Sequence, residues 1–449
     1  MPAQIAPAAP ATPAAPLGPA LIGTTDARGC ALTGAPTRAI AHYEQALAAF
    51  QAWRRGAEEP LARALHEAPG FVMAHVLQAW MGVCSRDVRR VRRARAPLMR
   101  ALQSRPAYRR EQLHVAALSA VLDDDYPLAK SLLGQLLAEA PRDVLALQVA
   151  HSLDYLTGDL ERLGDRVAHH LGAWHAALPG RHAVLAMHAF GLVERGEAEA
   201  AERVAREALA LNPLDARAHH VMAHVFEATG RAAEGVQWLT RHADVWATGS
   251  TVATHGAWHL ALFHLARGEV DQALALYDRH MSPTDAADIA DLIDASALLW
   301  RVQLQGGAVG SRWQALADAW APHIDDGFCS FSDVHAMLAF IGAQDDARAQ
   351  RLLHALATSQ SRTSRHGHTT RQLGLPACRA LAAFGQGEHT LAITLLASLP
   401  AEAHRLGGSH AQRDVLHLTL QQAVERVRRP AARRASAWTA DPAAASSRR

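Results

Sequence analysis

The chain has 449 residues and is 49% hydrophobic, enough to bury a large core, and its 45 basic and 43 acidic residues leave a formal net charge of +2. Near-neutrality argues against a protein drawn to nucleic acid or to a membrane by its overall field. Cys30, Cys84, Cys329 and Cys378 form no CxxC pair, which argues against a thiolate zinc site or a disulfide framework and points to a reduced, cytoplasmic setting.

Residues 1–35 are rich in Ala, Pro and Gly, carry no charge before Asp26, and read as a flexible leader. They lack the basic start and unbroken apolar run of a secretory signal. From Thr37 the pattern turns helical, with Ile40, Tyr43, Leu47 and Phe50 recurring three and four residues apart. Helical character persists to about Val427, so 36–429 reads as one helical domain and 430–449 as a disordered tail of Ala, Arg and Ser. No run alternates as a strand would, and none is long and apolar enough to span a bilayer. The Arg-dense stretch 86–95 (Arg86, Arg89, Arg90, Arg92, Arg93, Arg95) has no interleaved aromatics and reads as a solvated helix end, not a nucleic-acid surface.

Internal repeats set the fold class. Residues 182–215 combine small residues at Ala189, Ala201 and Ala208 with a Glu194-Arg195-Gly196-Glu197 turn and a closing Pro213. Two helices can cross closely only where side chains are small, and proline ends the unit. The same frame fits 110–143, 216–249, 254–287 and, more degenerately, 373–406. A period of about 34 residues is that of a tetratricopeptide repeat. The expected fold is all-α, a tetratricopeptide-type solenoid of stacked antiparallel helical hairpins.

More specific runs lie off the repeat consensus. They include Phe71-Val72-Met73-Ala74-His75, Arg109 to Val115, Ala150-His151, Phe190 to Glu194, His220 to His224, Trp258 to Leu262, Asp333-Val334-His335 and Gly407 to Val415. In these the chain resembles the tetratricopeptide repeat protein 38 family from roughly Thr24 to Leu420. The resemblance implies a helical-repeat architecture and carries no defined activity.

Histidine is over-represented, at 27 residues. In such a solenoid the first helix of each hairpin lines the concave side. That places Glu111 and His114, His220, His224 and Glu227, and His255, Trp258 and His259 on the inner faces of three repeats, with Asp294, His335, His410 and Arg413 as further inner-face candidates. Two histidines at i and i+4 can hold one divalent metal from a single turn. His220 and His224 have that spacing, His259 or His255 is placed to supply a third ligand, and Asp294 or the pair Asp333 and His335 a fourth. Without a metal, imidazoles beside carboxylates suit acid–base work. A chain this rich in histidine also produces the spacing by chance, and packing histidines give the same pattern. Near the C-terminus, Gly407-Gly408-Ser409 opens a helix whose amides and Arg413 would suit an anion. The alternative there is a Ser409 N-cap with an Arg413–Asp414 pair.

No dinucleotide fingerprint, Walker loop or GxSxG elbow occurs. The expected function is binding of a small molecule or peptide on the His-rich concave face. A metal-dependent or His-based enzyme, or a protein–protein scaffold, stand as alternatives, with no nucleic-acid or membrane partner.

Overall fold

The computed structural model describes residues 23–283 and 287–438. Among them the chain is overwhelmingly helical. Paired strand is confined to Thr24–Thr25 and Ala31–Leu32, antiparallel with Thr24 opposite Leu32, and one isolated bridge between Arg54 and Ser250. No helix there is long and apolar enough to cross a membrane. All four cysteines are free.

Each frame read from the sequence holds two successive helices packed on one another: Arg109–Leu122 with Tyr126–Glu139, Arg181–Glu194 with Ala198–Leu211, Ala216–Ala228 with Ala232–Arg241, Ala253–Ala266 with Val270–His280, and Leu375–Gly385 with His389–Leu396. Residues 284–286, at the end of one frame, lie outside the described residues. The small residues sit where the axes approach. Ala129, Ala201, Ala208, Ala273 and Ala392 are fully buried. A Cβ on Gly191 would stand 2.8 Å from Gly164 Cα and 2.9 Å from the Leu163 carbonyl oxygen, so that crossing admits only glycine.

Aspartates start many of these helices. Asp143 accepts from the Ala146 amide at 2.9 Å, and Asp215 from the Arg217 and Ala218 amides at 3.0 and 3.3 Å. Each such cap contributes about 1 kcal/mol. Helix Val144–Thr157 stops at Gly158, whose φ of 66° suits glycine and whose α-carbon lies against the His404 carbonyl.

That approach belongs to a seam along which distant segments close over the interior. The Ala216 amide donates to Ala52 O at 3.2 Å, Arg55 N to Gly249 O at 2.8 Å, Thr251 N to Trp53 O at 2.9 Å, and Arg365 N to the Asp124 carboxylate at 2.5 Å. Two large apolar clusters, one gathered mostly from the first 190 residues and one from the remainder, fill the body.

Two expectations need correction. Of the leader, residues 1–22 lie outside the described residues, but 23–35 are held in place. Leu32 and Ala35 are fully buried, and Thr33 donates through its amide (2.8 Å) and hydroxyl (2.5 Å) to buried Glu111. A sealed-in carboxylate needs donors, and this loop supplies them. At the other end the last helix is Val415–Trp438 and so runs past Pro430. Alanine and arginine are strong helix formers, which composition alone had read as a tail; residues 439–449 lie outside the described residues. In the Arg-dense stretch, Arg89, Arg90, Arg92, Arg93 and Arg95 are exposed on and just after the short helix Val88–Arg93, and several make surface contacts. Arg90 meets Asp288 at 2.6 Å, Arg95 meets Asp123 at 3.0 Å, and Arg86 lies over the Tyr155 ring at 4.7 Å.

Candidate metal centre

His220 and His224 are one turn apart on helix Ala216–Ala228, and His255 and His259 one turn apart on helix Ala253–Ala266. Residues four apart share a helix face, and these two helices pack together. The result is a four-imidazole cluster in which one ligand-capable nitrogen of each ring lies within 4.8 Å of the other three.

Its inner geometry is hard to satisfy with protons alone. His220 Nε2 lies 2.9 Å from His224 Nε2 and also 2.9 Å from His255 Nε2. His255 engages the Asp294 carboxylate through Nδ1 at 2.7 Å, so that nitrogen carries a proton and Nε2 is turned to His220. One nitrogen of His220 has either one hydrogen or one lone pair, and cannot serve two such neighbours at once. His259, only 1% exposed, has no hydrogen bond at either ring nitrogen among the described residues, and His220 Nδ1 has none. An unsatisfied buried polar group costs roughly 1–3 kcal/mol. A cation among the four nitrogens would take one lone pair from each ring, removing the conflict at His220 Nε2 and partnering one nitrogen of His259.

Electrostatics agree. Burial, reinforced by the neighbouring imidazoles, holds His220, His224 and His259 well below the usual histidine range. They are therefore neutral near pH 7, the form that binds metal. A set of imidazole nitrogens suits zinc, copper, iron or nickel.

The surroundings orient the rings. Asp294, on helix Ile289–Leu304 and 1% exposed, receives His255 on one oxygen and the Gln412 amide on the other, at 2.9 Å. Gln412 Oε1 in turn accepts from the Tyr155 hydroxyl at 3.1 Å and the Ser409 amide at 3.2 Å. A histidine whose second nitrogen is held by a carboxylate is the usual outer arrangement of a metal-binding imidazole. Aromatic rings seal the cluster. Phe190 stacks on His220 (centroids 5.8 Å apart), Trp258 on His255 (5.2 Å), and Trp53 leans over His220 (5.3 Å).

The other candidates fall in several places. His255 and His259, read from sequence as alternatives for a third ligand, both belong to the cluster. Asp294 is its outer partner and not a ligand. His335 donates through Nδ1 to the Phe331 carbonyl at 2.8 Å, and its unpartnered Nε2 is buried; desolvation takes its pKa down to about 4. Asp333 pairs with His366 at 2.8 Å instead of joining the centre. Glu227 lies beyond His224 on the same helix.

Glu111 and His114 do not join the group. His114 Nδ1 accepts from Trp80 at 3.2 Å, its Nε2 meets Asp143 at 3.0 Å, and Asp143 is also held by Arg110 at 3.2 Å. With every polar atom partnered inside the first apolar body, His114 is a packing residue. His410 is exposed, and its backbone amide donates to Glu194 at 3.1 Å. Arg413 reaches the same carboxylate at 3.3 Å. The anion at that helix start is thus the protein's own Glu194. Ser409 and Gln412 form a capping box, and Arg413 pairs with Glu194 and not with Asp414. Tyr155 and Trp53 carried no sequence signal of proximity, although Tyr155 shares a helix face with His151, one turn before it.

The chain thus defines an all-α protein with a buried, carboxylate-oriented histidine cluster. Scanned against protein-family models, it matches none.

Proposed function

We propose that this chain is a tetratricopeptide-type solenoid, related to the tetratricopeptide repeat protein 38 family, whose interior binds one divalent transition-metal ion through His220, His224, His255 and His259. The five packed helix pairs at the repeat frames, with alanine and glycine at their crossings, support the architecture. The free cysteines fit the reduced cytoplasmic setting that goes with it. The observation that carries the metal reading is His220 Nε2 placed 2.9 Å from two other imidazole nitrogens, one of which belongs to a ring already oriented by Asp294.

A metal held there would supply a Lewis acid or an activated water in an enclosed, aromatic-walled space. The reading is therefore of a metal-dependent enzyme or ligand-binding protein acting on a small molecule, in preference to a peptide scaffold. The test is the metal content of untagged protein by plasma mass spectrometry, beside the His220→Ala/His224→Ala variant. About one equivalent of zinc, iron, copper or nickel in the wild type, absent from the variant, is expected. Metal-free wild type that also takes up none of these ions on dialysis would overturn it.

A further inference from the structure

The groove between the two histidine-bearing helices does not end at the cluster. One turn beyond His224 is Glu227, and one turn beyond His259 is Leu262. Both line a cavity of about 360 Å³ whose other walls include Phe226, Phe263, Leu304 and Leu418. The size is at the lower end for a small-molecule pocket. The walls are mostly apolar, with Glu227 at the end next to the cluster and Arg301, Gln305, Gln421, Gln422 and Glu425 as the other polar lining residues.

The polar end is unbalanced. The Glu227 carboxylate makes no hydrogen bond or ion pair with any described residue, although it is half-buried. Arg301 also lines the cavity, but its guanidinium donates to the Ala297 carbonyl at 3.0 Å and to the Ala411 carbonyl, and lies 5.6 Å from the Trp258 ring centroid. Its charge is shared with Asp414 and Asp294 as well as Glu227. Asp414 and Glu194 add their negative field at Glu227 itself. Carboxylates therefore outnumber cations here, and burial pushes the Glu227 carboxyl up to about 7. A carboxylate without a partner, at the end of an apolar cavity, lacks a cationic donor.

We propose that this cavity is the substrate pocket of the histidine centre, and that it takes a molecule with an apolar body and a primary ammonium group, the ammonium resting on Glu227. The word substrate rests on the metal reading above; the binding does not. Apolar contact supplies most of the affinity and the charge-assisted hydrogen bond fixes orientation, holding the end of the ligand nearest the amine one helical turn from the imidazoles.

The test uses phenethylamine and its neutral analogue 2-phenylethanol, titrated calorimetrically into the full chain, both as purified and after chelator treatment. Saturable one-to-one binding of the amine is expected, weakened roughly tenfold or more by Glu227→Gln, with the alcohol binding weakly and indifferently to that change. Ala266→Trp, at the exposed rim of the cavity, should abolish binding even where Glu227→Gln folds poorly. Equal affinity for amine and alcohol, no loss in either variant, or no saturable binding would overturn the proposal. Amine binding by a chain that never holds metal would sink the metal reading alone; a metal-loaded chain that ignores the amine would sink the pocket alone.

Discussion

Asp294 holds His255 through Nδ1 at 2.7 Å and so turns the opposite nitrogen of that ring onto the cluster. The carboxylate is itself fixed by Gln412, which lies 118 residues further along the chain. Replacing Asp294 by Asn keeps the shape and removes the charge that fixes tautomer and orientation. Metal affinity should fall about 10- to 100-fold, as outer-partner changes generally do, when measured by competition with a chromogenic chelator. An unchanged affinity would mean that Asp294 only packs.

Ligand linkage gives an independent check. A metal that binds the fold and not the unfolded chain stabilises by about 2.7 kcal/mol at a hundredfold excess over Kd. Adding zinc to chelator-treated protein should raise its Tm in a concentration-dependent way. The His220→Ala/His224→Ala variant should show no such rise. Equal rises in both proteins would place the effect elsewhere.

The pH dependence follows from the buried imidazoles. Burial, helped by Arg217, takes His151 down to about 3, and burial takes His335 to about 4. In the unfolded chain both titrate near the ordinary value of about 6.5. Below that value the unfolded state binds protons that the folded state refuses, so their contribution is intact above about pH 6.5 and is lost as pH falls toward 4. His220, His224 and His259 act in the same direction. The urea midpoint of chelator-treated protein should drop steadily from pH 7 to pH 5. A flat profile across that range would contradict the burial of these rings.

His114 should behave as structure and not as site. His114→Ala leaves the Trp80 indole and the Asp143 carboxylate each short of a partner. A loss of roughly 2–4 kcal/mol in urea unfolding is expected, with metal content per folded molecule unchanged. Metal loss in this variant at full stability would return His114 to the centre.

At Gly191, a valine would have to pass through the Leu163–Gly164 backbone. Overpacking of this kind costs about 1–3 kcal/mol, read as a lowered urea midpoint for Gly191→Val with helicity retained.

The helix pairs were legible because a hairpin needs small residues at a fixed period, and Ala189, Ala201 and Ala208 announce it. The spacing of His220 and His224, with His255 and His259 on the next hairpin, was legible for the same reason. Helical periodicity tells which residues share a face. It does not tell which distant segment that face meets. Asp294 was read as a possible fourth ligand, whereas its carboxylate holds His255 from the packed helix Ile289–Leu304, and Trp53 and Tyr155 went unnoticed because they meet the cluster across distant stretches of chain. His114 occupies the right repeat position, yet its hairpin turns that position into the first apolar body, where Asp143 and Trp80 claim it. The ordering of 23–35 depends on Glu111, 78 residues from Thr33, a dependence no local pattern carries.

The chain order of the cluster's supports has a consequence for synthesis. All four imidazoles have left the ribosome once residue 259 is out, but the amide that steadies Asp294 follows only at Gln412. The hydroxyl of Tyr155, made long before, waits for the same glutamine. A nascent chain therefore carries four histidines with an unsteadied carboxylate for the time it takes to make well over a hundred residues. If the cluster holds an ion, the surroundings that orient its imidazoles are complete only once the last part of the chain has been made.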